Sequence, residues 1–201
     1  MGRIKGRKPE ETREAVLDAA TRAFAEHGYA NATLGQIAEA AGVTAATLPY
    51  HFKNKEGLFE AVVDGIYKDL ASLGRQFAGP MRFADVVRGI YDWAEDHRDG
   101  IRVMLRAILE KGGLDEPLRT MRLGPTLDAM ARLVSAHYRV PENNARECLV
   151  AVTHLVMRFA TNLPEDNMVA LAATDPADGR ERVIALMAKV GAGLLGIPHD
   201  A

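Results

Sequence analysis

One cysteine, Cys148, is the only thiol in this 201-residue chain, which excludes an internal disulfide and a clustered thiolate metal site. It lies in the apolar run Cys148-Leu149-Val150-Ala151-Val152, the setting of a buried, unreactive thiol. No uninterrupted apolar stretch is long enough to span a bilayer, so no membrane partner is expected. The basic N-terminus runs into Glu10, Glu11, Arg13 and Glu14 rather than into an apolar segment, and the expectation is a cytoplasmic protein. Alternating runs of β-branched and aromatic residues bounded by hairpin turns are also scarce, which argues against a sheet. HExxH, a glycine-rich phosphate loop, a nucleophile elbow and a convergent Ser, His and Asp arrangement are all missing. An enzyme is therefore not expected, and no cofactor is implied. Internal repeats and low-complexity segments are absent too.

What is present is apolar and helical in rhythm. Hydrophobic residues make up 48% of the chain, enough for a sizeable core, and they recur at three- and four-residue spacing, the period of an all-α fold. The formal net charge is only -2, but Arg3, Lys5, Arg7 and Lys8 crowd the start with no acid among them, either a solubilising tail or a polyanion contact. Pro9 followed by Glu10 and Glu11 suits a helix start, Val16, Leu17, Ala20 and Phe24 share one face, and Gly28 is placed to end it. Thr33 with Gln36 has the capping-box spacing and opens a short second helix that Gly42 closes.

Thr44 then stands where it can cap a third helix, and a longer one begins near Glu56. Two short helices joined through a glycine turn describe a helix-turn-helix. Pro49 falls inside the third helix. If that helix starts at Ala45, the proline removes the bond to the Ala45 carbonyl, a defect of about 3 kcal/mol inside a long helix and less in a short one. The spacing predicts a helix tightened around Leu48 that still presents residues 44–47. Beyond it, Gly79-Pro80, Gly112-Gly113, Gly124-Pro125, Pro141, Pro164 and Pro176 cut the chain into five or six further helices. Asp92, Glu95, Asp96 and His97 cluster in sequence, but adjacent charges on a helix point to different faces, and a solvated face is expected rather than a metal site.

Three stretches, Phe24-Ala25-Glu26-His27-Gly28-Tyr29, Thr33 to Val43 and Tyr50-His51-Phe52-Lys53-Asn54-Lys55-Glu56-Gly57-Leu58, together resemble the N-terminal DNA-binding domain of the TetR (TetR/AcrR) family of transcriptional regulators. The resemblance covers residues 12 to 66. It implies a three-helix DNA-binding domain over residues 1–55, including the basic arm, and a helical ligand-binding and dimerisation domain over residues 56–201, with about nine helices in all. It also implies double-stranded operator DNA, a small-molecule effector and a second copy of the chain as partners, most simply in a repressor released by its ligand.

Carried over position by position, Thr44, Ala45, Ala46 and Thr47 would face bases, Tyr50 and His51 would meet the backbone or a groove edge, and Lys55 and Thr33 would approach phosphates; by their charge, Arg3, Lys5, Arg7 and Lys8 would then enter the minor groove or hold phosphates. Val43, Leu48 and Phe52 would be core. Pro49, Leu34, Gly35 and the two alanines depart from the family pattern, so direct base readout should be sparse, resting on Thr47, methyl contacts to thymine and Tyr50, with DNA shape supplying part of the specificity.

For the dimer, Leu149, Val152, Val156 and Phe159 on one late helix and Val183, Met187, Val190 and Leu194 on another recur at helical spacing, with Ala188, Gly191 and Gly193 permitting close approach. An intrachain core face has the same periodicity. For the effector, Trp93, His97, Met104, Arg106, Met121, His154 and Met157 are the candidates, Met being suited to an adaptable pocket. A competing expectation is a helical small-molecule or partner-binding protein whose DNA-reading surface has weakened.

Overall fold

Pro9 sets the first helical φ and Glu10 and Glu11 complement the helix dipole, so α1 (Pro9–Asn31) begins where the sequence indicates. In the computed structural model, which describes residues 8–76, 81–111, 116 and 119–198, it is followed by α2 (Leu34–Ala40), α3 (Thr47–Phe52), α4 (Lys55–Gln76), α5 (Phe83–Asp96) and α6 (Arg98–Lys111). A π-helical turn, Arg119–Leu123, leads into α7 (Gly124–Tyr138), α8 (Glu142–Thr161), α9 (Pro164–Ala170) and α10 (Pro176–Leu195). The fold is all-α, with ten α-helices among the described residues. Gly28 does not end α1: at φ 77° it kinks the chain, which resumes its helical course to Asn31. Among the described residues no helix is long and apolar enough to cross a membrane.

The chain divides into two units, Met1–Asp69 with Asp99–Leu114, and Leu70–Arg98 with Asp115–Ala201. The motif-based boundary between residues 55 and 56 lies at the start of α4, within the first unit. In the first unit Val16, Ala20, Phe24, Ile37, Leu48, Phe52 and Leu58 are buried, each large side chain stabilising the fold by about 1.5–3 kcal/mol. Phe24 and Tyr29 meet the Phe59 ring edge-on at 5.4 and 5.1 Å. Leu48 and Phe52 are core as expected, while Val43 is half-buried.

In the second unit α10 packs against α8, α5 and α9, and α7 packs on α8. Val152, Val156, Val183 and Met187 are all buried within the chain. This corrects half of the interface expected from periodicity: those four side chains form the unit's own core and are not free to meet a second copy. Gly191 likewise serves an intrachain approach, since a Cβ there would lie 2.5 Å from the Phe83 ring and 3.0 Å from Val152. Leu149, Phe159, Val190 and Leu194 remain half-buried. Cys148 is buried, and desolvation pushes its thiol up to about 11.

Ion pairs join α5 to α10. Arg88 holds both Glu181 oxygens at 2.7 and 2.6 Å, and Arg180 pairs with Asp92 and with Glu95, the latter at 2.8 Å. The acidic run on α5 is thus a solvated face that anchors an arginine. Among the described residues no group of His, Cys, Asp and Glu is placed to hold a metal.

Candidate nucleic-acid interface

Three local devices shape the segment from Thr33 to Lys55. At the start of α2 the Thr33 hydroxyl accepts from the Gln36 N–H at 3.2 Å while Gln36 Oε1 accepts from the Thr33 N–H at 3.1 Å, a closed capping box. At its end the Gly42 N–H donates to the Glu39 carbonyl at 3.0 Å and the Val43 N–H to the Ala38 carbonyl at 2.9 Å. That paired pattern needs a left-handed residue between helix and turn, and Gly42 supplies it at φ 69°.

The third device resolves the proline. Thr47 N–H bonds the Thr44 carbonyl at 2.9 Å and Leu48 N–H bonds the Ala45 carbonyl at 3.3 Å, two consecutive i→i+3 bonds of the 3₁₀ kind. The carbonyl that Pro49 cannot serve is therefore taken by Leu48. α3 starts only at Thr47, leaving Pro49 in its first turn, where the missing N–H has no intrahelical partner to lose. The expected tightening around Leu48 is present. Thr44, however, does not cap: Ala46 holds the N-cap position with no side-chain bond, and the Thr44 hydroxyl pairs with the Thr47 hydroxyl at 3.0 Å.

Past α3 the chain turns within one residue. Lys53 adopts φ 63°, ψ -60°, and the Asn54 N–H bonds the Phe52 carbonyl at 2.7 Å, a γ-turn of the strained, positive-φ kind. Asn54 Oδ1 then accepts from the Gly57 N–H at 2.8 Å and caps α4. Gly57 is needed because a Cβ there would lie 2.4 Å from the Phe52 carbonyl oxygen.

The resulting surface exposes Thr44, Ala45, Ala46, Pro49 and Tyr50, with Thr47 and His51 half-buried. Tyr50 is 84% exposed. Its ring meets His51 edge-on at 5.1 Å. Thr33 is exposed at the start of α2. Lys55 is less free than its position suggests: its ammonium donates to the Ala30 carbonyl at 3.1 Å and sits 4.7 Å from the Tyr29 ring centroid. Two of its three donors stay unassigned. Lys8 is exposed ahead of α1, and Arg3, Lys5 and Arg7 lie outside the described residues. Sequence reasoning missed Arg13, whose guanidinium lies 5.3 Å from the Phe52 ring centroid and ties α1 to the end of α3. No spacing rule signals a contact between residues so far apart in sequence.

The effector candidates are divided between the two units. Met104 and Arg106 belong to the first unit, where Arg106 donates to the Glu26 carbonyl at 3.1 Å. In the second unit His97 stacks on Trp93 at 4.4 Å, Met121 is 69% exposed, Met157 is half-buried, and exposed His154 is engaged with the Val150 carbonyl of its own helix at 2.7 Å. A cavity of about 250 Å³ lies in that unit, lined chiefly by Tyr91, Glu95, Arg98, Asn162, Asn167 and Arg180, and none of the seven candidates borders it. Its floor is polar and satisfied: buried Asn167 donates to the Phe159 carbonyl at 2.9 Å and accepts from Asn162 at 2.6 Å. Burial raises the Tyr91 phenol to about 12.

Residues 16–62 match a family model described as bacterial regulatory proteins, tetR family. Over 75 residues the chain is 40% identical to the HTH-type transcriptional regulator TtgR of Pseudomonas putida, 37% of this chain and 36% of TtgR. Over 99 residues it is 34% identical to the HTH-type transcriptional repressor AcnR of Corynebacterium glutamicum, 46% of this chain and 50% of AcnR. The chain thus spans no more than half the length of these curated relatives. A transcriptional regulator from Streptomyces coelicolor shares the fold with a TM-score of 0.70 at 20% identity, over 89% of this chain and 97% of that one. A TetR-like regulator from Rhodococcus does so with a TM-score of 0.64 at 17% identity, over 93% and 100%.

Proposed function

We propose that this chain, a member of the TetR family of regulators, is a DNA-binding transcriptional repressor that reads a palindromic operator as a homodimer and is released from it by a small molecule. The observation that carries the reading is the local geometry of residues 33–55. A capping box, a left-handed glycine and a γ-turn frame the turn of Thr44 to Ala46 and the short helix that follows it, leaving Thr44, Ala45, Ala46 and Tyr50 exposed, in keeping with the way a helix-turn-helix enters a major groove. In this reading residues 44–47 meet base edges, Thr33, Tyr50, His51 and Lys55 meet phosphates, and the cations Arg3, Lys5, Arg7 and Lys8 add a contact to the flanking backbone or minor groove.

One such head covers too little DNA for useful specificity, so two copies would read half-sites about 34–36 Å apart or a multiple of that. For pairing, Leu149, Phe159, Val190 and Leu194 are the members of the expected set not committed to the chain's own core. The cavity beside Tyr91 and Arg180 gives the effector a candidate location sized for a small polar molecule. The effector's leverage is set by its differential affinity for the two states, typically about 1–3 kcal/mol.

Selection from randomised double-stranded DNA tests the core of the reading. Enrichment of a palindrome bound in a salt-dependent manner is expected; recovery of no palindrome at moderate salt would favour the competing view of a helical binding protein with a weakened DNA surface. Native mass spectrometry of the purified protein would reveal a carried ligand, and an empty spectrum with no operator release by any metabolite pool would remove the effector from the account.

A further inference from the structure

We propose that the α3 surface selects its operator by the 5-methyl groups of the major groove, so that thymine, or 5-methylcytosine in its place, is preferred at the base pairs nearest residues 44–47. The inference rests on the reading above that this surface enters the groove. It begins from what the surface lacks. Guanine is read by Arg or Lys, adenine by Asn or Gln, and cytosine by Asp or Glu. From Ala40 to Phe52 the chain contains none of these six residue types.

Besides Ala40 and Gly42, its exposed residues there are Thr44, Ala45, Ala46, Pro49 and Tyr50. The hydroxyls that remain are partly spent on each other. Thr44 Oγ1 and Thr47 Oγ1 lie 3.0 Å apart, so one proton of the pair is used internally and a single free donor is left for a base. Bidentate readout by an Arg, Lys, Asn, Gln, Asp or Glu side chain is therefore closed to this stretch.

The proline reinforces the effect. Because the Ala45 carbonyl is bonded by Leu48, residues 44–46 form a tight turn ahead of the helix rather than its first turn, and two short alanine side chains stand at the leading edge. A short, uncharged edge tolerates close approach to the groove floor, and the one apolar feature a standard base pair shows there is the thymine C5-methyl. Burying a methyl-sized group against another is favourable in proportion to the area removed from water.

The test uses the fragment enriched by selection and changes only that methyl. Replacing a thymine by deoxyuridine keeps every hydrogen-bonding group, and at contacted positions it should lower affinity about fourfold in one half-site and roughly sixteenfold in both. Exchanging the same T·A pair for C·G should weaken binding further, and 5-methylcytosine should recover about fourfold relative to cytosine. In Ala45→Gly or Ala46→Gly, whichever loses the contacting methyl, the deoxyuridine penalty should vanish, with thermal melting confirming that the variant folds. Binding of the fragment with less than a twofold change at every deoxyuridine position overturns the methyl reading and leaves the regulator reading standing. Enrichment of no fragment at all sinks both.

Discussion

Lys53 and Gly57 show how much of the candidate interface hangs on single residues. A non-glycine residue at φ 63° in a γ-turn costs about 1–3 kcal/mol, and the strain persists because the Phe52 carbonyl is held between the Asn54 N–H and the bare α-carbon of Gly57. Gly57→Ala would place a methyl 2.4 Å from that oxygen, and backbone there has nowhere to give. Its cost should be about 2 kcal/mol or more, measured as a lowered denaturant midpoint with unchanged m-value, together with loss of operator binding. Tyr50 predicts the opposite split. At 84% exposure its replacement by alanine should move stability by less than about 0.5 kcal/mol. A hydroxyl bonded to a phosphate is worth about 1.5–3 kcal/mol, so Tyr50→Ala should weaken operator binding by about tenfold or more. Tyr50→Phe separates hydroxyl from ring: equal losses in the two variants assign the contact to the hydroxyl, and a silent Tyr50→Phe assigns it to the ring.

At the scale of elements, α3 is set by its proline more than by its caps. Pro49→Ala restores an N–H able to reach the Ala45 carbonyl and frees the helix to begin earlier, carrying Thr44 to Thr47 into a regular first turn. Stability should change by no more than about 1 kcal/mol, while the selected half-site should change sequence; an identical half-site from a repeated selection would detach Pro49 from readout. The link between α5 and α10 makes a pH prediction. The hydrogen-bonded Arg88 guanidinium lowers the Glu181 carboxyl below its usual 4.5, so the pair's contribution is present above that value and fades as pH falls through the lowered folded value. For an exposed pair it is small, about 0.2–1 kcal/mol. Glu181→Gln should therefore melt below the parent protein at neutral pH, with the gap closing below about pH 4.5; a gap that persists there would place the stabilisation elsewhere. These elements differ in how legible they were. The box at Thr33, the stop at Gly42 and the effect of Pro49 depend on neighbours in sequence and could be read from it. Arg180 meeting Asp92 and Glu95, or Arg13 meeting Phe52, depends on packing between distant segments, which periodicity does not encode. The cavity beside Tyr91 and Arg180 was illegible for the same reason: residue types mark apolar and polar faces without saying which faces enclose a space.

The same limit reaches its sharpest form in the assembly. Helical spacing on α8 and α10 identifies apolar positions, yet a side chain buried in the chain's own core and one buried by a second copy leave the same trace in sequence. Burial separates them: Val183 and Met187 are 0% exposed in the single chain, whereas Val190 and Leu194 are half-buried. A charge at the first pair removes a core contact and leaves a buried carboxylate, so Val183→Asp should unfold the protein. A charge at the second pair should leave the chain folded and act only where a partner would cover it. In a two-fold interface each substitution appears twice, once from each copy, so that like charges accumulate across the axis. The doubly substituted Val190→Glu, Leu194→Glu protein should therefore keep its helical content, sediment as a monomer, and bind a palindrome no better than an isolated half-site, because affinity gained by tethering two heads at duplex spacing disappears with the tether. Retention of a dimer by this variant would move the pairing surface off the exposed face of α10. Retention of palindrome binding by a proven monomer would refute the need for two copies altogether.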